Sequence, residues 1–134
     1  MIKIQKEDFN IEEEINFIKS QNQNIGAVST FIGYVRNINN QKEVTSIDIE
    51  VYSEMAFASL KKISSDAKKK WSLIDSIIIH RYGKLAINEK IVLVGTFSMH
   101  RKNSFDACNF IMDFLKKDAP FWKKEFYEKN YSWL

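Results

Sequence analysis

The segment Ile25 to Arg36 constrains the fold of this chain more than any other, because it is apolar on both faces at the two-residue period of a strand. Ile25, Ala27, Ser29, Phe31, Gly33 and Val35 fall on one side, and Val28, Thr30, Ile32 and Tyr34 on the other. A strand of this kind is expected to be covered on both sides, so further strands and helices must pack around it. Hydrophobic residues make up 45% of the 134 and aromatic residues 13%, enough to bury a core in one domain, residues 1–134, without disulfide or metal staples. Four Gly and one Pro leave no stretch that reads as a flexible linker, and there is no internal repeat.

Other elements follow from periodicity. Ile2 to Gln5 reads as a short strand, and Ile11, Ile15 and Ile18 set a helix to about Lys19, with Asp8 or Asn10 as its cap. The polar run Asn37 to Glu43 reads as a loop. Thr45, Ile47, Ile49 and Val51 then alternate with Ser46, Asp48 and Glu50 in a strand with one wet face. Ser53 is placed to cap a helix to about Trp71, with Ala56, Leu60, Ile63, Ala67 and Trp71 as its apolar stripe and lysines opposite. Ser76 to Arg81, Lys84 to Ile87 and Ile91 to Met99 read as strands, the last two joined by a tight turn at Asn88-Glu89. A final helix is expected from Asn103, capped by Asn103 and Asp106, to about Lys117 before Pro120. Strands and helices mix without strict alternation, which points to α+β with a largely antiparallel sheet.

Met1 to Asp8 lacks the apolar region of a secretory signal, and no stretch approaches the length of a membrane span, so a soluble cytoplasmic protein is expected. Cys108 is the single cysteine, which excludes an internal disulfide or a CxxC site; in an apolar helical pattern it reads as a core residue. Two His and no ligand-spaced acidic cluster argue against a zinc or transition-metal site, and neither GxGxxG nor GxxxxGK[ST] occurs. No cofactor is expected.

The net charge of +3 is mild, but cations concentrate late in the chain: Arg101, Lys102, Lys116, Lys117, Lys123, Lys124 and Lys129, interleaved with Phe121, Trp122, Phe126 and Tyr127. Arg36 follows the apolar strand and offers a planar fork of donors suited to phosphate or carboxylate. His100-Arg101 stands between a strand end and a helix N-terminus, a favourable place for an anion. His80-Arg81 has the same form but runs into the turn-like Tyr82-Gly83 and reads as structural. Lys116 shares a helix face with Asn109 and Met112 beside the core, where partial burial is expected to lower its pKa and make it a usable acid, base or nucleophile. These residues suggest a cation-rich pocket with lysine as the reactive group.

Taken in order, Gly26-Ala27, Phe31-x-Gly33-x-Val35-Arg36, Glu50-x-Tyr52-x-Glu54-Met55-Ala56, His80-Arg81-x-Gly83, His100-Arg101 and Lys116-x-x-x-Pro120-x-Trp122-Lys123-Lys124-Glu125 resemble the catalytic large subunit of molybdopterin synthase. The resemblance runs from about Gly26 to Trp133. It implies an α/β-hammerhead fold with an added antiparallel sheet, and a homodimer flanked by two small ubiquitin-like sulfur-carrier subunits. It also implies a sulfurtransferase reaction, in which cyclic pyranopterin monophosphate receives two sulfurs from the thiocarboxylated C-terminal glycine of the small subunit, giving molybdopterin. By the same resemblance Lys116 and Lys123 match the essential lysines, and Arg36, His100 and Arg101 the substrate-anion pocket. Tyr34, Val35, Lys124 and Glu125 fall in the same segments and are expected to line it. The sequence ends one residue after Trp133, where the family often continues with a tail toward the neighbouring subunit's pocket, so a tail contribution is not expected. The run Asn37 to Glu43 also lacks the glycine often found there.

Two readings of other classes stay open at this point. Lys and Arg among aromatics can grip phosphates and stack bases in a nucleic-acid-binding module, although the small net charge speaks against it. A non-catalytic docking partner of a ubiquitin-like protein would bind without turnover.

Overall fold

Two strands form the middle of the molecule, and both are buried on both faces. In the computed structural model, which describes residues 1–39, 41–128 and 130–134, these are β6 (Asp75–Arg81) and β8 (Lys90–Ser98), paired antiparallel. Their alternate side chains enter different clusters. Ile77, Ile79, Leu93 and Phe97 pack with Phe9 and Ile18, while Ile78, Val92 and Val94 pack on the opposite side with Leu60, Ala67, Ala107 and Ile111. The first cluster lies under helix α1 (Ile11–Gln21) and the second under α2 (Ser53–Trp71) and α3 (Arg101–Lys117). Strand β1 (Ile2–Gln5) joins β6 in parallel, and β2 (Ala27–Tyr34) joins β8 antiparallel, giving a four-stranded sheet in the order β1-β6-β8-β2.

A second four-stranded sheet, antiparallel throughout, has the order β10-β9-β5-β7. It comprises β5 (Ser46–Val51), β7 (Gly83–Ala86), β9 (Phe121–Phe126) and β10 (Tyr131–Trp133). Between β2 and β5, β3 (Ile38–Asn39) and β4 (Lys42–Glu43) form a small hairpin where a loop was expected. The whole is α+β, with the added antiparallel sheet that the sequence led one to expect.

Three expectations need correction. Strand β2 is an edge strand: Val28, Phe31 and Tyr34 keep 37, 42 and 50% of their surface exposed. The flanking helices cover the sheet's middle, and among the described residues no strand pairs with the outer edge of β2. Helix α2 takes Ser53 as its first residue, with Tyr52 in the cap position and no side-chain cap bond. Helix α3 begins two residues before Asn103, with His100 in the cap position. The Asn103 amide donates instead to the Trp71 carbonyl at 2.9 Å, tying the start of α3 to the end of α2. The cap of α1 is Asn10, whose side chain accepts from Glu13 N at 3.0 Å.

Glycines mark two joints of this frame. A Cβ at Gly26 would stand 2.2 Å from the Met99 carbonyl oxygen, so only glycine allows β2 to start against the bend that leads into α3. Gly83, at φ +87°, turns the chain from β6 into β7 and so from one sheet to the other.

Candidate functional site

The expected site residues divide into two groups at opposite ends of the molecule. Strand β2 runs antiparallel to β8, with Ala27 beside Ser98 and Tyr34 beside Lys90. His100 and Arg101 lie at the Ser98 end, where α3 starts. From there α3 folds back over the strands: Ser104 Oγ bonds Ser29 Oγ at 2.8 Å, the Ser104 carbonyl accepts from Thr96 Oγ1 at 2.7 Å, and Ala107, Cys108 and Ile111 enter the cluster that holds Val35 and Val92. Seventeen helical residues carry the chain roughly 24 Å, so Lys116 stands far from Arg101.

Arg36, Lys116 and Lys123 gather at the other end. Val35 is anchored to the β7–β8 turn by Val35 N to Glu89 O (3.0 Å) and Asn88 N to Val35 O (2.9 Å), which places Arg36 just beyond β2. Helix α3 closes with Asp118 N on Phe114 O, and buried Pro120 delivers the chain straight into β9. On β9, Phe121, Lys123 and Glu125 pair with Val51, Ile49 and Ile47, and so face inward. Trp122, Lys124 and Phe126 face outward. Lys124 Nζ sits over the rings of Tyr131, Trp133 and Phe126 at 4.0, 5.1 and 5.5 Å, turned away from Lys123.

The partial burial expected at Lys116 is found at Lys123 instead. Lys116 is exposed on the last turn of α3, whereas Lys123 is drawn inward and desolvation lowers its pKa from the ordinary lysine value. A lysine so placed yields more neutral amine near neutral pH than a surface lysine does, and can accept or deliver a proton.

His80 is part of the same end. Its ring stacks on Phe121 at a centroid distance of 3.7 Å, and Nδ1 lies 2.8 Å from the Arg81 carbonyl oxygen. A carbonyl oxygen only accepts, so Nδ1 carries the proton and Nε2 is bare. Burial, opposed by that hydrogen bond and reinforced by the Lys123 charge, pushes the His80 pKa down to about 4. His80-Arg81 is a structural pair, as its sequence setting suggests, yet it forms the floor beneath β9. Arg81, equally buried, donates to the carbonyls of Lys6 (3.0 Å) and Lys90 (2.9 Å) and pairs with Glu89.

Sequence reasoning passed over Asn39. Arg36 Nη2 donates to Asn39 Oδ1 at 3.2 Å, and Asn39 Nδ2 donates to Glu125 Oε1 at 2.8 Å. Tyr127 OH also donates to Glu125 Oε1, at 2.9 Å, so this carboxylate, 5% exposed, is engaged within the protein. Nothing in a polar run of Asn, Ile and Gln marks one asparagine as the link; only the β3–β4 hairpin does. Lys129, counted among the late cations, lies outside the described residues, as does Asn40. Among the described residues no three His, Cys, Asp or Glu side chains come together as metal ligands, and Cys108 is buried, its thiol pKa raised by desolvation.

An α+β frame that sets an arginine, an exposed lysine and a half-buried lysine around one end defines a class of protein equipped to hold an anion and to move protons with amines. Comparison with known proteins gives this class its family. A family model described as "MoaE protein" matches residues 4–118. The molybdopterin synthase catalytic subunit of Pseudomonas aeruginosa is 44% identical over 99% of this chain and 89% of its own length. The crystal structure of molybdopterin synthase from Staphylococcus aureus superposes with a TM-score of 0.92 at 31% identity, covering 98% of this chain and 95% of that one. A Helicobacter pylori structure, described as a complex of subunits 1 and 2 of molybdopterin-converting factor, shares the fold at a TM-score of 0.82 and 20% identity, covering 98% and 88%. The chain belongs to the MoaE family, whose matched relatives are molybdopterin synthase catalytic subunits.

Proposed function

We propose that this chain is the catalytic subunit of a cytoplasmic molybdopterin synthase, folded as a single domain. It converts cyclic pyranopterin monophosphate to molybdopterin with two sulfurs from the thiocarboxylated C-terminus of a small ubiquitin-like partner. The observation that carries the reading is Lys123, a lysine turned inward on β9 and deprived of water, at the same end as Lys116 and Arg36. The single cysteine, Cys108, is buried, in keeping with a sulfur donor supplied by another subunit.

In this reading Arg36 holds the phosphate, flanked by Tyr34 and Val35. Lys116 and Lys123 act where sulfur is delivered; Lys124 faces the other side of β9, over Tyr131 and Trp133, and Glu125 is taken up by Asn39 and Tyr127. Once a thiocarboxylate sulfur has bonded to a substrate carbon, release of the small subunit requires attack at its acyl carbonyl. A lysine ammonium stabilises the oxyanion formed there, and the amine form of Lys123 takes up the proton of the attacking water.

His100 and Arg101 belong to the pocket only if a second copy supplies them, since α3 separates them from Lys116 by roughly 24 Å within one chain. The exposed edge of β2 supports that arrangement. Two β2 edges meeting antiparallel about a two-fold axis put the Ala27 end of one copy beside the Tyr34 end of the other. Arg36 of each copy then faces His100 and Arg101 of its mate, and Val28, Phe31 and Tyr34 are covered. The assembly is thus a homodimer of this chain, each copy carrying one small subunit.

The test is to mix the purified protein with thiocarboxylated small subunit and cyclic pyranopterin monophosphate, and to follow molybdopterin by mass spectrometry beside a Lys116→Ala control. Product from the unmodified protein, with a loss of orders of magnitude in the variant, is expected. A stable complex that never yields product makes the chain a docking partner only.

A further inference from the structure

Arg36 stands just past the end of β2, on the surface, where a long side chain samples many rotamers unless something fixes it. Something does. Its Nη2 donates to Asn39 Oδ1 (3.2 Å), Asn39 Nδ2 donates to Glu125 Oε1 (2.8 Å), and Tyr127 OH donates to the same Oε1 (2.9 Å) while lying 3.1 Å from Ser132 Oγ. The chain of bonds runs from the β3–β4 hairpin into β9 and on to β10.

Its chemistry admits one orientation. Guanidinium only donates and a carboxylate only accepts, so the group between them must present oxygen to Arg36 and nitrogen to Glu125. A side-chain amide does both. Aspartate at position 39 would lose the donor and set a second negative charge against Glu125, and serine is too short to reach both ways. The far end is anchored: Glu125 is buried on the inward face of β9, opposite Ile47 and two residues from Lys123. Arg36 has five N–H donors and Asn39 occupies one, so the relay aims the fork without consuming it.

We infer that Asn39 and Glu125 are positioning residues for Arg36, and that they lock the anion-binding arginine to the strand that carries the reactive Lys123. The inference rests on the reading of Arg36 as the phosphate holder. A fixed guanidinium sets the distance between the substrate's phosphate and the amine of Lys123, whereas a loose one binds phosphate more weakly.

The experiment uses the assembled synthase with cyclic pyranopterin monophosphate and two readouts. Asn39→Ala and Glu125→Ala are each expected to raise KM for the pterin about tenfold with kcat changed less than about threefold, a split that marks lost ground-state binding. Glu125→Gln keeps the oxygen that accepts from Asn39 and Tyr127, so its KM is expected to rise less than that of Glu125→Ala. In an Arg36→Ala background, Asn39→Ala is expected to add nothing, because its effect passes through the missing guanidinium. The second readout needs no turnover: the Arg36 Nε–H signal by nitrogen NMR relaxation is ordered in the unmodified protein and mobile in Asn39→Ala. An Arg36 that stays ordered in Asn39→Ala overturns the inference, as does a KM effect that persists in full without Arg36. If Arg36 loosens in Asn39→Ala while Arg36→Ala leaves KM unchanged, the relay stands and the assignment of Arg36 to the phosphate falls.

Discussion

Acid should weaken this fold through His80 before it touches most carboxylates. The ring is 4% exposed, lies flat on Phe121, and faces the Arg81 carbonyl and the Lys123 charge, with no acidic group among the causes that set its pKa. Its pKa is pushed from 6.5 down to about 4. The unfolded chain therefore binds a proton on this residue through a pH range in which the folded chain does not. By linkage, stability rises with pH across that window: the contribution is fully present above 6.5, falls as the pH drops, and is lost by the time it passes 4. A shift of that size is worth roughly 3 kcal/mol in total, at 1.36 kcal/mol per unit, and about 2 kcal/mol of it falls between pH 7 and pH 5. Urea unfolding of the protein and of a His80→Phe variant, each at pH 7, 6, 5.5 and 5, isolates the effect. Phenylalanine keeps an aromatic surface against Phe121 and removes the titration, so its absolute stability is immaterial and only the slope matters. The unmodified protein should lose about 2 kcal/mol more than the variant between pH 7 and 5. Parallel pH dependences would refute the argument, since they would mean that His80 charges as readily in the folded state as in the unfolded one.

Two further outcomes follow from the same structure. A mixture of Arg36→Ala and His100→Ala proteins, each inactive alone, should recover up to about a quarter of normal molybdopterin formation after subunit exchange, because half of the dimers are mixed and each then holds one intact pocket; no recovery would place both residues in pockets built by a single copy. Gly26→Ala should lower the melting temperature by several degrees, at roughly 2 kcal/mol or more of lost stability, because its Cβ meets the Met99 carbonyl at 2.2 Å and the bend before α3 must shift; an unchanged melting curve in differential scanning calorimetry would show that this bend yields freely.

What the sequence made legible tracks how directly each residue's neighbours are encoded locally. Helix α1, strands β6 to β8 and the turn at Asn88 carry regular periods, and they stand where those periods put them. Strands β9 and β10 were not legible, because the inward positions of β9 are Phe121, Lys123 and Glu125, and two charges on a buried face hide the alternation that would announce a strand. The same fact explains the exchange between the lysines. Helical spacing put Lys116 beside Met112, but a helix end opens to water, and the sheet, which the spacing could not foresee, is what withdraws Lys123 from solvent. Asn39 acquires meaning only when a hairpin brings it to Glu125, 86 residues away.

Strand β2 is the opposite case, since its pattern says more than a single chain displays. Both faces are apolar and one copy leaves Val28, Phe31 and Tyr34 in water, a poor arrangement for an edge strand that carries no charge from Ala27 to Tyr34. Selection for an isolated monomer would have placed lysine or proline there. The apolar edge is explained if it is normally covered, and the antiparallel meeting of two such edges is also the arrangement that carries His100 and Arg101 to Arg36. Solubility and catalysis then rest on the same surface. A charge placed at Phe31 should abolish both the dimer and the activity while leaving the α1 and α3 packing intact. Loss of activity with the dimer preserved would separate the two roles and put the pocket's missing cations elsewhere.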